Sequence, residues 1–189
     1  MFGTNEHFIM RDGNIAHFGI PEGLSIDAVS EKLHLYRRRV WSETPYMGRC
    51  SEDIKWCSVS HIRDTLVDTI NNQQKIHTLC WVDGEIVGEC TIEFFVWHLC
   101  KHRARMEISV RSDYWGLGIG SKMMSKLLFY ADTRPYVEQV ELGCVETNTR
   151  ARALYERFGF RLSSVMPNAL RFDDGRCLDE YIMICRLNR

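Results

Sequence analysis

Three glycines in alternate positions, Gly116, Gly118 and Gly120, stand where a strand pattern gives way to a helical one. Upstream, Met106 to Val110 reads as a strand. Downstream, Met123, Met124, Leu127, Leu128 and Ala131 fall on one face of a helix from about Gly118 to Asp132. A second strand signal, Val137 to Val145, follows. A strand–helix–strand passage of this kind belongs to an α/β fold and predicts a right-handed parallel crossover. Glycine lets the backbone turn tightly and lets a ligand approach with no Cβ in the way. The helix start leaves backbone N–H groups unpaired at the positive end of the helix dipole, so the ligand that suits this turn is a phosphate. Ser121 adds a hydroxyl donor and Lys122 a charge. The dinucleotide pattern G-x-G-x-x-G fails, because Ser121 stands where its third glycine is needed. The nucleotide P-loop fails for want of a closing Gly-Lys-Ser/Thr. Taken alone, the turn is also compatible with a tight structural connection, the lesser of the two readings.

The rest of the chain supplies the frame. Phe8 to Arg11 reads as a short strand. Ser25 caps a helix to about Ser42, with Ile26, Val29, Leu33, Tyr36 and Val40 at helical spacing, and Thr44-Pro45 ends it. Ser60 opens a second helix with Ile62, Leu66 and Ile70 on one face. Ile76 to Val82 and Ile86 to Trp97 are strands joined at Asp83-Gly84, a strong hairpin signal. Cys100 to Arg105 reads as a basic loop. Thr149 to Phe158 is a helix stopped by Gly159. Phe160 to Val165 and Leu178 to Leu187 are the last strands, with a turn at Asp173-Asp174-Gly175 between them. The expected fold is α/β (α+β), a mixed and mostly antiparallel sheet of six or seven strands with helices on both faces, in one domain over residues 1–189.

A second motif sits beyond the turn: Asn148, Ala151, Leu154, Tyr155, Gly159 and Phe160, in the pattern N-x-x-A-x-x-L-Y-x-x-x-G-F. Together with Tyr114 to Ser121, in this order and at this separation, it resembles the GNAT superfamily of N-acetyltransferases. The resemblance is sharp over about Ile76 to Leu187, and Glu43 to Tyr46 is similar to the N-terminal part of some bacterial members. It implies acetyl-CoA as cosubstrate and no metal. It also implies a diphosphate loop formed by Trp115, Gly116, Gly118, Ile119, Gly120 and Ser121, with Asn148 as a further coenzyme contact. The pantetheine arm is expected between splayed strands, pairing with backbone near Ser109 and Val110. The family's loop usually begins with Gln or Arg where this chain has Trp115. Binding through backbone N–H groups is expected to survive that change, without the one side-chain bond that Gln or Arg would supply.

Acetyl transfer to an amine sets three tasks. The ammonium must lose a proton, the developing oxyanion must be stabilised, and the leaving thiolate should receive a proton. The resemblance places Tyr155 beside the coenzyme sulfur, where its hydroxyl can donate. The alternative for Tyr155 is an aromatic packed in the core. A backbone N–H at Val110 or a neighbour is the expected oxyanion donor. Glu107 is the candidate base, two residues after the position where relatives often carry a carboxylate and this chain has Arg105. Period-two alternation puts both on one face. A carboxylate near its ordinary value is a poor base for an amine, so it would work through burial or a water chain. Glu89, Glu93 and His102 are rivals, and a structural ion pair is the other role for Glu107. Arg150 and Arg152 flank the second motif as coenzyme contacts or a solvated face. Arg37, Arg38 and Arg39 spread around a helix and form no single binding face.

Composition narrows the partners. The net charge is −1 over 189 residues, so no basic excess argues for nucleic acid. No apolar run approaches the roughly 20 residues of a membrane helix, and no signal segment is evident. Eight scattered cysteines without a C-x-x-C pair read as reduced thiols in a cytoplasmic protein. The acceptor is expected to be an amine of a small molecule, peptide or protein. Substrate choice is assigned to the N-terminal helices, the hairpin and a loop at Met166 to Arg176. Tyr181, Ile182 and Met183 are candidates for a homodimer interface.

Overall fold

A computed structural model describes residues 5–187. Its elements are β1 (Glu6–Ile9), β2 (Ile15–Phe18), α1 (Ile26–Glu43), α2 (Val59–Asn71), β3 (Lys75–Val82), β4 (Glu85–Phe94), β5 (Arg103–Val110), α3 (Ile119–Asp132), β6 (Gln139–Val145), α4 (Thr149–Arg157), β7 (Arg161–Arg171) and β8 (Cys177–Arg186), with short 3-10 turns at 45–47, 51–56 and 112–114. The eight strands form one sheet in the order β1-β2-β3-β4-β5-β6-β8-β7. The β5–β6 pair is parallel, while β1–β2, β2–β3, β6–β8 and β7–β8 are antiparallel. The fold is thus the expected mixed, mostly antiparallel α/β type, with one strand more than expected. No helix among the described residues is long and apolar enough to cross a membrane.

Backbone contacts group the chain into two units, Met1–Thr91 with Ile108–Met123, and Ile92–Glu107 with Met124–Arg189. The first unit is built on α1 and α2. Ser25 caps α1 by accepting the Ala28 N–H at 3.2 Å, and Thr44 ends the helix before Pro45. Val29, Leu33, Tyr36, Val40 and Trp41 bury one face against Ile62, Leu66, Leu79, Trp81 and Ile86. The cap of α2 is Ser58, not Ser60, and its buried face ends in Thr69, not Ile70, which is 45% exposed. At about 100° per residue, the position seven after Ile62 lies near its line and the position eight after lies well off it. Thr69 tolerates burial because its hydroxyl donates to the Thr65 carbonyl at 2.8 Å.

The additional strand is β2. Ala16 and Phe18 are fully buried while Ile15 is exposed, a four-residue alternation too short to read without its partner. The β1–β2 hairpin closes through Gly13, at φ 87°, with Met10 N–H bonded to Asn14 carbonyl at 2.8 Å.

In the second unit β8 has both backbone edges paired, to β6 and β7, and Met183 is buried. Its Tyr181–Met183 run is therefore interior to the sheet, and the sheet's edge is β7. That strand continues through Met166 and Pro167 to Arg171, so much of the expected loop from Met166 is strand. Pro167 is compatible with it because β7 is an edge strand with an irregular register between Met166 and Leu170.

Candidate active site

The glycine turn is built as its sequence suggests at two of three positions. Gly116 and Gly118 take φ 83° and 97°, backbone that favours glycine, whereas Gly120 is an ordinary residue inside the first turn of α3. A Cβ on Gly116 would meet nothing within 4 Å, so that side of the turn is open. The N–H of Lys122 reaches the Gly118 carbonyl at 3.0 Å. The residues before it form the first turn of α3, where a helix has no intrahelical carbonyl for its N–H groups. An open glycine turn ending in a helix N-terminus has the donor set that a diphosphate requires.

Trp115 has a definite task. Its indole N–H donates to the Val110 carbonyl at 2.7 Å, tying the turn to the end of β5. The segment between them is held from α1. The Ser112 N–H donates to Glu43 at 2.8 Å, and Arg39 bonds both Glu43 and Asp113.

Strand β5 offers two differently used edges. The Arg111 N–H bonds the Val87 carbonyl at 2.9 Å, and the Ser109 carbonyl lies 3.4 Å from where a Cβ on Gly88 would stand, so both face β4. Alternation then turns the backbone groups of Ile108 and Val110 away from β4. The Ser109 backbone expected to pair with a coenzyme is thus directed toward β4, and its hydroxyl is bonded to the Tyr36 hydroxyl at 2.8 Å. On the other edge, the parallel ladder with β6 spans only Arg103–Arg105 against Gln139–Glu141. Beyond Arg105 the strand continues without that pairing among the described residues.

The candidate bases occupy contrasting surroundings. Glu107 and Glu93 are exposed and make no hydrogen bond or ion pair among the described residues. Arg105 shares the exposed face with Glu107, as alternation requires. Glu89 is largely buried. Arg37 donates to both of its oxygens, at 2.5 and 3.1 Å, and His77 Nε2 lies 2.9 Å from Oε1. Burial alone would raise the Glu89 value; the Arg37 guanidinium and His77 overcome it and hold the carboxyl well below the usual range. Arg37, expected only as one of three arginines spread around the helix, is thus a largely buried partner of Glu89 and also donates to the Cys57 sulfur at 3.4 Å. Burial and the Glu89 charge raise Tyr36 well above an ordinary tyrosine, so its hydroxyl keeps its proton. His102 contributes its carbonyl to the N–H groups of Glu138 and Gln139.

In the second motif, Asn148 caps α4 by accepting the Ala151 N–H at 3.2 Å. Tyr155 is 8% exposed and packs on Phe160, with ring centroids 6.2 Å apart. Burial, then the neighbouring Cys144, raises its value, so the phenol stays protonated. Its hydroxyl makes no hydrogen bond among the described residues. Burial likewise pushes the Cys144 thiol up to about 11. All eight cysteines are free, and no three His, Cys, Asp or Glu side chains converge as a metal set among the described residues.

Residues 37–160 match the family model described as "Acetyltransferase (GNAT) family". A curated relative, the L-amino acid N-acetyltransferase AaaT of Escherichia coli K12, is 29% identical over 103 residues, covering 54% of this chain and 62% of the relative. The chain therefore spans less than two thirds of that relative's length. Among solved structures, an acetyltransferase of GNAT family from Streptococcus pneumoniae aligns with TM-score 0.78 at 20% identity, over 85% of this chain and 95% of that one. A phosphinothricin acetyltransferase from Sinorhizobium meliloti, in complex with AcCoA, aligns with TM-score 0.72 at 16% identity, over 87% and 86%. At those identities the structures bear on the fold.

Proposed function

The chain belongs to the GNAT acetyltransferase family, and from that premise we propose that it transfers an acetyl group from acetyl-CoA to a primary amine, by direct attack with both substrates bound. The observation that carries this is the open glycine turn at the start of α3, inside a family match that spans both sequence motifs. Because that match runs through stretches of both backbone units, residues 1–189 are read as one catalytic domain.

Acetyl-CoA supplies the thioester carbonyl that the amine attacks. Gly116, Gly118, Ile119, Gly120 and Ser121 form the diphosphate cradle, Trp115 fixes its approach to β5, and Asn148 is a further coenzyme contact through its amide nitrogen. The Val110 N–H, on the β5 edge away from β4, is the donor for negative charge developing on the carbonyl oxygen. Such a donor is worth roughly 3 kcal/mol in a transition state. Tyr155 donates a hydrogen bond or proton to the leaving thiolate. Burial raises its value, so the phenol stays protonated and available as a donor, and it stabilises the thiolate chiefly through the hydrogen bond. Glu107 takes the ammonium proton through water, since it is exposed and has no competing cation among the described residues.

The acceptor is an amine of a small molecule, peptide or protein. The curated relative's name makes L-amino acids the first members of the panel. Thermal-shift titration and thioester consumption test the proposal together. Acetyl-CoA should raise the melting temperature while ATP and NAD do not, and free thiol should appear with at least one amine. Stabilisation without turnover on any amine would make this a coenzyme-binding module. Tyr155→Phe should lower kcat about tenfold or more with little change in coenzyme affinity, and unchanged kcat would remove Tyr155 from the chemistry.

A further inference from the structure

The β1–β2 hairpin brings residues from outside both motifs onto the glycine turn. Glu6 pairs with Lys122. The edge of the Phe8 ring lies 3.2 Å from where a Cβ on Gly118 would stand. Arg11 makes two bonds to the turn: its backbone N–H to the Leu117 carbonyl at 3.1 Å, and Nη1 to the Gly116 carbonyl at 3.2 Å. Both bonds go to acceptors. They brace the turn without consuming any of the N–H donors an anion would use.

The cations around the turn are not equivalent. Lys122 is committed to Glu6, and Arg111 to Asp113 at 2.7 Å. Arg11 pairs with no carboxylate among the described residues, and its neighbour Asp12 is turned to Asn14. The Arg11 side chain is exposed, and a guanidinium has five N–H donors, of which Gly116 takes one. A cation with donors to spare is thereby fixed against a glycine turn that has the donor set for a diphosphate.

We propose that Arg11 is a phosphate-binding residue of the coenzyme site, contributed by the N-terminal hairpin. One N–H holds the Gly116 carbonyl, and the remaining donors bind a diphosphate oxygen of acyl-CoA. This rests on the acyl-CoA reading above and names a residue that neither sequence motif contains.

The test compares wild type with Arg11→Gln, Arg11→Lys and Arg11→Ala by calorimetric titration with CoA, beside turnover of S-acetylpantetheine, which has no diphosphate. Gln keeps a donor for Gly116 but has no charge, so it separates bracing from phosphate binding. Arg11→Gln should raise the CoA dissociation constant about tenfold at low salt, as for loss of a charge-assisted bond. Raising salt from about 50 to about 500 mM should shrink that difference. Lys should recover much of the affinity, and kcat/KM for S-acetylpantetheine should stay at the wild-type value. Wild-type CoA affinity in Arg11→Gln, or equal losses with CoA and S-acetylpantetheine, would overturn the inference and leave Arg11 as a brace. No CoA binding by the wild-type protein would overturn the acyl-CoA reading and this inference with it.

Discussion

Glu89 and Glu107 are both strand carboxylates, and sequence reasoning offers both as the base. Their surroundings are opposite. Glu89 is 13% exposed and bound by Arg37 and His77, which together outweigh the burial that would otherwise favour its protonated form. Glu107 is exposed, with no ion pair among the described residues. A carboxylate held far below its usual range binds a proton weakly and gains little by taking one from an ammonium. The buried carboxylate therefore holds α1 against β4, and the exposed one is the proposed route for proton transfer.

The sharpest way to break that assignment is to remove the buried partner. Glu89→Ala leaves Arg37, 19% exposed, without its counter-charge. Breaking a mostly buried pair from one side should cost about 3 kcal/mol in unfolding free energy, read by denaturant titration. The pH dependence has a definite sign. Because the folded value is depressed, the Glu89 contribution is complete above the unfolded carboxylate value, about 4.3, and is lost as pH falls below it toward the folded value. Wild type should therefore lose stability more steeply in acid than Glu89→Gln. A loss under about 1 kcal/mol, or parallel acid slopes, would return Glu89 to the set of candidate bases.

That contrast also marks how far the sequence is legible. Ser25 as a cap, Asp83-Gly84 as a hairpin and Gly159 as a stop are readable because each is decided by near neighbours. The glycine turn is readable because strand, turn and helix adjoin in the chain. The pairing of Arg37 with Glu89 is hidden because its partner lies 52 residues away, and the bond from Arg11 to the Gly116 carbonyl because 105 residues separate them. No local pattern carries such pairings. The direction of the Ser109 backbone depends on the register with β4, and β2 on pairing with β1 and β3. Trp115 is visible in the sequence as a departure, but its bond to the Val110 carbonyl follows only from the bend between them.

The next expected effect is catalytic. Glu107→Gln should leave stability within about 0.5 kcal/mol, as for an exposed side chain without partners. It should lower kcat/KM about 100-fold and abolish the acidic limb of the pH–rate profile, in the range of a general base. Glu89→Gln, measured in the same assay where it is folded, should retain that limb. If the limb instead survives in Glu107→Gln and disappears in Glu89→Gln, the two roles must be exchanged.

Glu93 gives the smallest expected change and the finest discrimination. It is exposed like Glu107, so exposure alone would make the two equal. The Phe95 N–H to Arg103 carbonyl bond fixes the antiparallel register there and sets Glu93 across from Arg105, on the stretch of β5 that is also laddered to β6. Glu107 lies past the end of that ladder, on the same short run of strand as the Val110 N–H. If proximity to that run decides which carboxylate serves the amine, Glu93→Gln should change kcat/KM by less than about twofold. Its stability cost should be about 0.5 kcal/mol or less, as for an exposed side chain without a bonded partner. A loss in Glu93→Gln matching that in Glu107→Gln would mean that the proton leaves through a water chain shared by both carboxylates, and that neither alone is the base.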